Sequence, residues 1–371
     1  MPSVLDLFLE LAAIPSPPGD ERAVADRVTA ELRGLGLDVE EDGSGPEIGS
    51  NAGNLYVRLE PTADTGTPLF LCAHLDTVPP EGPLEPVVED GVVRNAGGTI
   101  LGADNKAAVA VMVEGARRLL AEGRPHAGVE LLFTQKEEVG LRGAYAFESA
   151  RLAARQGFVY DQGAPVGEIV LGAPYAAALQ VTFHGKAAHA GMAPEEGRSA
   201  IAAAARAVAD LRLGRIDEET SANVGTIEGG NARNIVPERC SMLAEARSHD
   251  ERKLAELVQE MSETCAFAAS LEGCRVETTI ERSYRGYRFG REDLPVRLAR
   301  TALEHAGFAP TFALSGGGAD ANVFNELGLE CVNLANGMTE IHTPAEHIAV
   351  ADLEAMVEVT LGLFEAALAT S

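Results

Sequence analysis

The sequence predicts an α/β protein in which a smaller α+β domain interrupts a larger sheet-and-helix domain. Short apolar runs suited to buried strands, such as Pro68–Ala73 and Val129–Thr134, alternate with helical patterns. Near Ala178 this order changes to strands placed around two helices, and from about Arg291 the helix–strand–helix order returns. We therefore expect residues 1–177 and 285–371 to form the larger domain and 178–284 to form the inserted one.

The first part of the chain supplies the elements of the larger domain in order. Two helices come first, with a Pro- and Gly-rich loop between them, and Asp20 is suited to cap the second helix. Apolar runs of four to six residues then predict buried strands. The expected helices are Val4–Ile14, Glu21–Leu35 and Asn105–Ala121, and the expected strands are Asn54–Leu59, Pro68–Ala73, Val129–Thr134 and Gly157–Tyr160.

The middle of the chain supplies the inserted domain. Four strand patterns surround an Ala-rich helix and a second, longer helix. The last strand, Arg275–Ile280, alternates between polar and apolar residues, which is typical of an edge strand. The other expected elements are the strands Ala178–Gly185, Asn223–Ile227 and Arg239–Arg247 and the helices Ser199–Leu213 and Asp250–Leu271.

Composition narrows the classes of function. The net charge of −26 disfavours binding to nucleic acid or to an anionic membrane surface, because both are negatively charged. No apolar run is long enough for a transmembrane helix, and the first ten residues do not resemble a secretory signal. The five cysteines are odd in number and form no C-x-x-C pair, so we expect a protein of the reducing cytoplasm.

Acidic and imidazole side chains follow the predicted strands at the points where those strands end. In α/β sheets, active sites lie at the carboxyl ends of the strands, so these side chains are expected to meet. Two imidazoles with several carboxylates are the ligands needed for a pair of divalent metal ions. The residues of this set are His74 and Asp76, Asp104, Glu137 and Glu138, Asp161, and His342.

Each of these signals has an ordinary structural explanation when it is taken alone. His74-Leu75-Asp76 also suits a turn with a lone polar histidine, and Asp104 is suited to cap the helix that follows it. Glu137-Glu138 is also compatible with a solvated loop. Two adjacent acids at a buried strand end are costly unless positive charge compensates them, and metal ions would supply that charge.

The set divides into two groups of metal ligands, with the carboxylates of Asp76 and Glu137 left over. Asp104 would bridge two ions about 3.5–4 Å apart, and Asp76 would orient His74 through its second ring nitrogen. Mixed nitrogen and oxygen ligation favours Zn²⁺, with Co²⁺ or Mn²⁺ as substitutes. Glu137 would remain as the general base for an activated water. The expected ligand groups are His74, Asp104 and Asp161 for one ion and Asp104, Glu138 and His342 for the other.

These motifs resemble those of the di-zinc, co-catalytic metallopeptidases, a family that includes tripeptidase (peptidase T), carboxypeptidase G and aminoacylase. Asp161, rather than Glu, and the Gly-rich segment Ser315–Asn322 are most similar to the peptidase T branch. The reduced segment between His74 and Asp104 differs from tripeptidases and leaves the substrate length open. The matching segments, in family order, are Ala73–Val78, Gly102–Ala107, Thr134–Gly140, Tyr160-Asp161 and Ile341–Pro344.

The resemblance implies a mixed-sheet, phosphorylase/hydrolase-like zinc exopeptidase domain and a ferredoxin-like lid and dimerisation domain. It implies that His189 enters the active site of the second subunit and donates to the oxyanion. It also implies that Arg247, Asn234 and Gly317 contact the substrate, with Arg247 gripping a carboxylate. The ordinary alternatives are that Asn234 makes a turn and that Arg247 pairs with a neighbouring acid, Glu245 or Asp250.

We therefore expect a cytoplasmic, homodimeric, metal-dependent exopeptidase that acts on short peptides. An N-acyl-amino-acid amide hydrolase, such as an aminoacylase or deacetylase, would use the same site and is the nearest alternative. A binding protein that has lost catalysis is a more distant one. The complete ligand set argues against it, because an inactive relative would be expected to lack at least one ligand.

Overall fold

A computed structural model describes residues 3–370, which divide into two compact units. The first unit contains the described residues up to Gly172, Arg288–Ser315 and the described residues from Ala319 onward. The second contains Ala173–Tyr287 and Gly316–Gly318. Its first strand begins at Tyr175, a few residues before the expected boundary at 178, because Tyr175–Ala177 already pair with the neighbouring strand.

The described residues form ten α-helices, two short 3-10 helices and seventeen strands. The α-helices are α1 (Val4–Ala12), α2 (Arg22–Gly34), α3 (Gly45–Ile48), α4 (Ala103–Ala121), α5 (Arg142–Ala146), α6 (Ala200–Asp210), α7 (Glu251–Leu271), α8 (Leu294–His305), α9 (Asp320–Glu326) and α10 (Val350–Leu368). The 3-10 helices are Ser149–Arg151 and Pro194–Glu196. The strands are β1 (Glu40–Glu41), β2 (Leu55–Leu59), β3 (Leu69–His74), β4 (Pro86–Glu89), β5 (Val92–Asn95), β6 (Val129–Thr134), β7 (Gln156–Gln162), β8 (Glu168–Ala173), β9 (Tyr175–His184), β10 (Gly214–Arg215), β11 (Thr220–Gly229), β12 (Arg239–Ser248), β13 (Arg275–Tyr284), β14 (Tyr287–Arg288), β15 (Thr311–Leu314), β16 (Glu330–Ala335) and β17 (His347–Ala349).

The first unit is built around a mixed sheet. Its strands follow the order β1-β2-β6-β3-β7-β16-β8, and β15 pairs with β8. Strand β3 is parallel to both β6 and β7, and β7 is parallel to β16, so their carboxyl ends lie at one edge. Every residue of β3 and β6 is buried, which explains why both strands are largely apolar.

Helices pack around the central strands and complete the core of the first unit. Helix α4 contacts β3 and β7, while α8 and α9 contact β7 and β16. Buried aromatic side chains such as Phe133, Phe158 and Tyr160 fill the sheet faces, and each stabilises the fold by roughly 2–3 kcal/mol through burial. This core fixes the strand ends from which the polar side chains project.

The second unit has the ferredoxin-like β-α-β-β-α-β order that the family resemblance implied. Its antiparallel strands follow the order β10-β11-β12-β9-β13, and β13 is an edge strand as the alternating pattern predicted. Helices α6 and α7 pack together over this sheet. The side chains of Ser199 and Asp250 cap their first turns by accepting backbone N–H groups.

Two local details of the helix starts differ from the sequence-based expectation. Asp20 does not cap α2: Glu21 occupies the cap position, and Asp20 accepts a hydrogen bond from the side chain of Asn51 instead. Capping of α4, the ordinary alternative for Asp104, is not what its carboxylate does either, since the two oxygens face His74 and His342. Across residues 3–370, no helix is long and apolar enough to cross a membrane.

Candidate active site

The carboxyl end of β3 places His74 against Asp104. Nε2 of His74 lies 3.1 Å from Oδ1 of Asp104. On the other side of the ring, Nδ1 donates to the backbone carbonyl oxygen of Asp76 over 2.9 Å. A carbonyl oxygen only accepts, so Nδ1 carries a proton and Nε2 of the neutral ring is the nitrogen available to a cation.

His342 approaches the same carboxylate from the C-terminal part of the first unit. Its Nε2 lies 3.2 Å from Oδ2 of Asp104 and 3.0 Å from Oε1 of Glu138. Asp104 therefore presents one oxygen to each imidazole. His342 has a positive φ of 63°, a backbone conformation that is uncommon outside glycine and is held here by the surrounding turn.

Asp161 and Glu137 complete the cluster. Oδ1 of Asp161 lies 3.9 Å from Nε2 of His74. Ligand atoms of His74, Asp104 and Glu138 lie within 4.8 Å of one another, and so do those of His74, Glu137 and Asp161. The geometry thus brings together the acids and imidazoles expected from the sequence. It also places Glu137, the expected base, as close to His74 as a ligand would be.

The carboxylate of Asp76 supports the adjacent acids rather than the ring of His74. Its Oδ1 accepts the backbone N–H of Glu137 over 2.9 Å, and its Oδ2 accepts that of Glu138 over 3.1 Å. The distance from its Oδ1 to Nδ1 of His74 is 3.5 Å, longer than the bond to the carbonyl. Asp76 is fully buried, so it fixes the backbone that carries both glutamates.

Sequence reasoning missed two residues that hold the ligands in place. Both carboxylate oxygens of the buried Glu346 accept backbone N–H groups at the start of α4, from Leu101, Gly102 and Asp104, the last over 3.0 Å. Asn333 exchanges two hydrogen bonds of 2.8 Å with the backbone of Asp161. In the sequence, Glu346 is marked only by its closeness to His342. Asn333 is marked only as a polar residue within an apolar strand.

The electrostatics of this cluster are those of buried acids in need of positive charge. Burial raises the pKa of Glu137 well above its usual range, and burial together with the charge of Asp104 raises the pKa of Asp161 to about 7. Hydrogen bonds that its imidazole donates to the carboxylates of Asp104 and Glu138 raise the pKa of His342 to about 10. Burial raises the pKa of the nearby Asp320 to about 6, and its Oδ2 accepts from the hydroxyl of Thr134.

The donor set fits divalent cations. Several carboxylates and two imidazoles converge, and burial raises the pKa values of Glu137 and Asp161, so a nearby cation would favour their ionised forms. A bound cation replaces protons on such groups. Mixed imidazole and carboxylate donors suit transition metals such as Zn²⁺ better than Ca²⁺ or Mg²⁺.

The second unit carries the residues that the resemblance assigned to the substrate. The Nη2 group of Arg247 donates to Glu245 over 3.0 Å, and Nη1 donates to the carbonyl oxygen of Gly316 over 3.2 Å, which places Arg247 beside Gly317. Asn234 is exposed and lies in a turn, which is the structural role that the sequence analysis gave as the alternative to substrate contact. His189 is exposed as well, and Nδ1 of its imidazole accepts hydrogen bonds from the backbone N–H groups of Gly191 and Met192.

Comparison with known proteins places this fold in a family. A family model described as a peptidase dimerisation domain matches residues 172–270, and one described as peptidase family M28 matches residues 54–162. The Bacillus subtilis protein YqjE is 40% identical, and the match covers 98% of each chain. The structure of the aminopeptidase PepT from Bacillus cereus is 39% identical, with a TM-score of 0.88 over 98% of each chain. A tripeptidase structure from Staphylococcus aureus is 36% identical, with a TM-score of 0.92 over 98% of this chain and 97% of that one.

The mixed sheet, the inserted dimerisation domain and the cluster of acids and imidazoles define a metallopeptidase. The chain belongs to the M20 metallopeptidase family. Within that family it is peptidase T-like, so the resemblance, the fold class and the enzyme class expected from the motifs are confirmed.

Replacing Asp76 with Asn is expected to weaken metal binding about 10- to 100-fold. The amide keeps one acceptor oxygen, so the backbone N–H of either Glu137 or Glu138 loses its partner. Titration of chelator-treated protein with Zn²⁺ measures this change. Asp20→Asn, on the surface, is the matched control and should bind metal like the wild type. Wild-type affinity in the Asp76 variant would contradict the positioning role.

The metal-free protein is expected to become less stable as the pH rises from about 5 to 7, whereas above pH 7 the buried Lys106, whose pKa burial lowers to about 7, opposes this trend. The pKa of Asp161 rises from 3.8 to about 7 on folding, and that of His342 rises from 6.5 to about 10. In the folded protein both groups therefore keep protons that the unfolded chain releases. Their contribution to the free energy of unfolding is full at low pH and is lost as the pH rises through each folded pKa.

Thermal unfolding of the chelator-treated protein checks this pH dependence, with an expected fall in Tm of at least about 3 °C. Added Zn²⁺ replaces the protons, so the increase in Tm that it causes should grow with pH. Asp161→Asn is the control and should flatten the lower part of the curve. A metal-free Tm that rises across this range would show that the expected sign is wrong.

Proposed function

We propose that this protein is an exopeptidase that binds two divalent metal ions, zinc in the first instance, and hydrolyses short peptides. The observation that carries this proposal is the position of Asp104 between His74 and His342, with Glu137 beside them. The names of the aminopeptidase and tripeptidase relatives support the peptide substrate. One of these relatives is named an aminopeptidase and the other a tripeptidase, so dipeptides and tripeptides are both candidates.

The residues that would hold the ions are those that surround Asp104. One group would be His74, Asp104 and Asp161, and the other would be Asp104, Glu138 and His342. When bound, the ions lower the pKa of water and polarise the scissile carbonyl group. Glu346 and Asn333 keep the carboxylates of Asp104 and Asp161 in position through backbone hydrogen bonds.

Glu137 would move the proton. Its backbone is fixed by Asp76, and burial raises the pKa of its carboxyl group. A raised pKa makes the carboxylate a better proton acceptor. Glu137 would take a proton from the attacking water and deliver it to the leaving nitrogen, which departs as an amine.

The second unit would supply groups that recognise the substrate. Arg247 would bind a substrate carboxylate, since guanidinium and carboxylate groups form paired hydrogen bonds. His189 of one subunit would donate to the oxyanion formed in the other, and Asn234 and Gly317 would contact the peptide. The match to a dimerisation domain supports a homodimer. The five free cysteines support a cytoplasmic location, and the net charge of −26 argues against a nucleic-acid partner.

A kinetic panel tests the substrate class. Dipeptides, tripeptides, peptides blocked at either end and N-acyl amino acids are compared at equal concentrations of metal-loaded enzyme. We expect free dipeptides or tripeptides to have the highest kcat/KM. Turnover restricted to N-acyl amino acids would replace the peptidase with the amide hydrolase, and metal binding without any turnover would favour the binding protein.

Arg247→Ala is expected to raise KM about 10- to 100-fold for peptides with a free terminal carboxylate, because a charge-assisted pair is lost. The same peptide with an amidated C-terminus should show no comparable change. Glu245→Gln is the matched control: it keeps the arginine, removes its internal carboxylate partner and should lower KM or leave it unchanged. An equal effect of Arg247→Ala on both peptides would remove Arg247 from carboxylate recognition.

A further inference from the structure

The imidazole of His189 is held by the backbone that follows it. Its Nδ1 lies 3.1 Å from the backbone nitrogen of Gly191 and 3.1 Å from that of Met192. A backbone N–H group only donates, so Nδ1 must accept both hydrogen bonds through its lone pair. In the neutral ring the remaining proton therefore lies on Nε2.

The turn that supplies these two N–H groups is itself anchored. The carbonyl oxygen of His189 accepts from the backbone nitrogens of Met192 and Ala193, over 3.2 and 3.0 Å. On the other side, His189 forms an isolated bridge with Ile235, and Ala190 donates to the carbonyl oxygen of Asn234 over 3.0 Å. The imidazole is thus fixed relative to two segments of the second unit, although the side chain is exposed.

We infer that the backbone N–H groups of Gly191 and Met192 are positioning groups that fix His189 as a neutral Nε2–H donor. This inference rests on the proposed role of His189 toward the oxyanion. A neutral Nε2–H group donates a hydrogen bond to developing negative charge. The same tautomer has no lone pair on Nε2, so it does not ligate a metal, which separates His189 in function from His74 and His342.

The tautomer is measured directly in the full-length protein. The histidines are labelled with ¹⁵N, and long-range ¹H–¹⁵N spectra are recorded at pH 8.5, above the usual imidazole pKa of about 6.5. His189→Gln identifies the signals by their loss. We expect an unprotonated Nδ1 and a protonated Nε2. A protonated Nδ1, or an even mixture of the two tautomers, would overturn the inference.

Two variants of Gly191 separate positioning from general structure. Gly191→Pro removes one of the two donors, while Gly191→Ala keeps it, and a Cβ atom there would meet the His189 ring at 3.7–3.8 Å, an ordinary contact. We expect Gly191→Ala to keep the wild-type tautomer. Gly191→Pro should populate both tautomers and show a kcat about tenfold below that of Gly191→Ala. An unchanged tautomer in Gly191→Pro would contradict the inference, and if that variant does not fold, the wild-type spectrum decides alone.

The failure of this inference is distinguishable from the failure of the proposed function. If His189→Gln has the kcat of the wild type, the proposed role of His189 falls, and the positioning role falls with it. If its kcat drops about a hundredfold while the wild type carries its proton on Nδ1, the positioning inference alone is wrong. A drop in kcat together with a protonated Nε2 supports both.

Discussion

Glu137→Gln is expected to lower kcat by about 10²–10⁴-fold while leaving the metal content of the protein unchanged. The amide has nearly the same size and keeps the backbone N–H that Asp76 accepts. It cannot take a proton from water at neutral pH. Because the loss concerns proton transfer rather than substrate contact, KM should change little.

The neighbouring glutamate provides the matched control for this variant. Glu138→Gln alters a proposed ligand, which lies 3.0 Å from His342, so metal affinity should fall together with activity. Metal analysis and steady-state kinetics on the same preparations separate the two effects. Retained turnover in Glu137→Gln would remove Glu137 from its role. Loss of metal from Glu137→Gln would instead make it a ligand, as its proximity to His74 and Asp161 allows.

The fold was predictable because burial leaves a clear pattern in the sequence. The fully buried strands β3 and β6 are largely apolar, and the edge strand β13 alternates as a strand with one exposed face should. The helix starts were less predictable. Asp20 has the right chemistry for a cap, but the preceding Pro- and Gly-rich loop places its carboxylate against Asn51 instead.

The residues that support the site were harder to predict than the acids and imidazoles. Asp104 and Glu346 are far apart in the sequence, yet their contact fixes the loop that carries the central carboxylate. Asn333 lies within an apolar strand and gives no signal of its own. Asp76 was expected to orient His74 through its carboxylate, whereas its carbonyl oxygen makes that contact and its carboxylate holds the next strand end. Such contacts depend on the register of neighbouring strands, which one sequence alone does not reveal.

The second unit illustrates the same limit for substrate recognition. Arg247 was assigned to the substrate by resemblance, and the structure pairs it with Glu245, one of its two alternative partners. The two assignments are compatible, because the ion pair is only half-buried and a substrate carboxylate can take the place of Glu245. This pairing makes Glu245→Gln an informative control for Arg247→Ala, because only the loss of the arginine is expected to raise KM.

Asp104→Asn is expected to weaken the binding of both ions by more than about a hundredfold and to remove activity. Among residues 3–370, Asp104 is the one carboxylate that lies within hydrogen-bonding distance of both imidazoles, with Oδ1 at 3.1 Å from Nε2 of His74 and Oδ2 at 3.2 Å from Nε2 of His342. Asparagine keeps the size and one oxygen but loses the negative charge. A neutral amide cannot offset two cations held close together.

Metal titration with elemental analysis measures the outcome, and Asp161→Asn is the control. Asp161 is close to His74 but not to His342, so its replacement should weaken one ion much more than the other. The number of metal ions bound per chain, together with the activity, therefore distinguishes a ligand shared by both ions from a ligand of one ion. If the Asp104→Asn protein still bound two metal ions tightly, Asp104 would not be a ligand shared by the two metal sites. The cluster would then consist of independent sites, and a mechanism that needs paired ions would lose its basis.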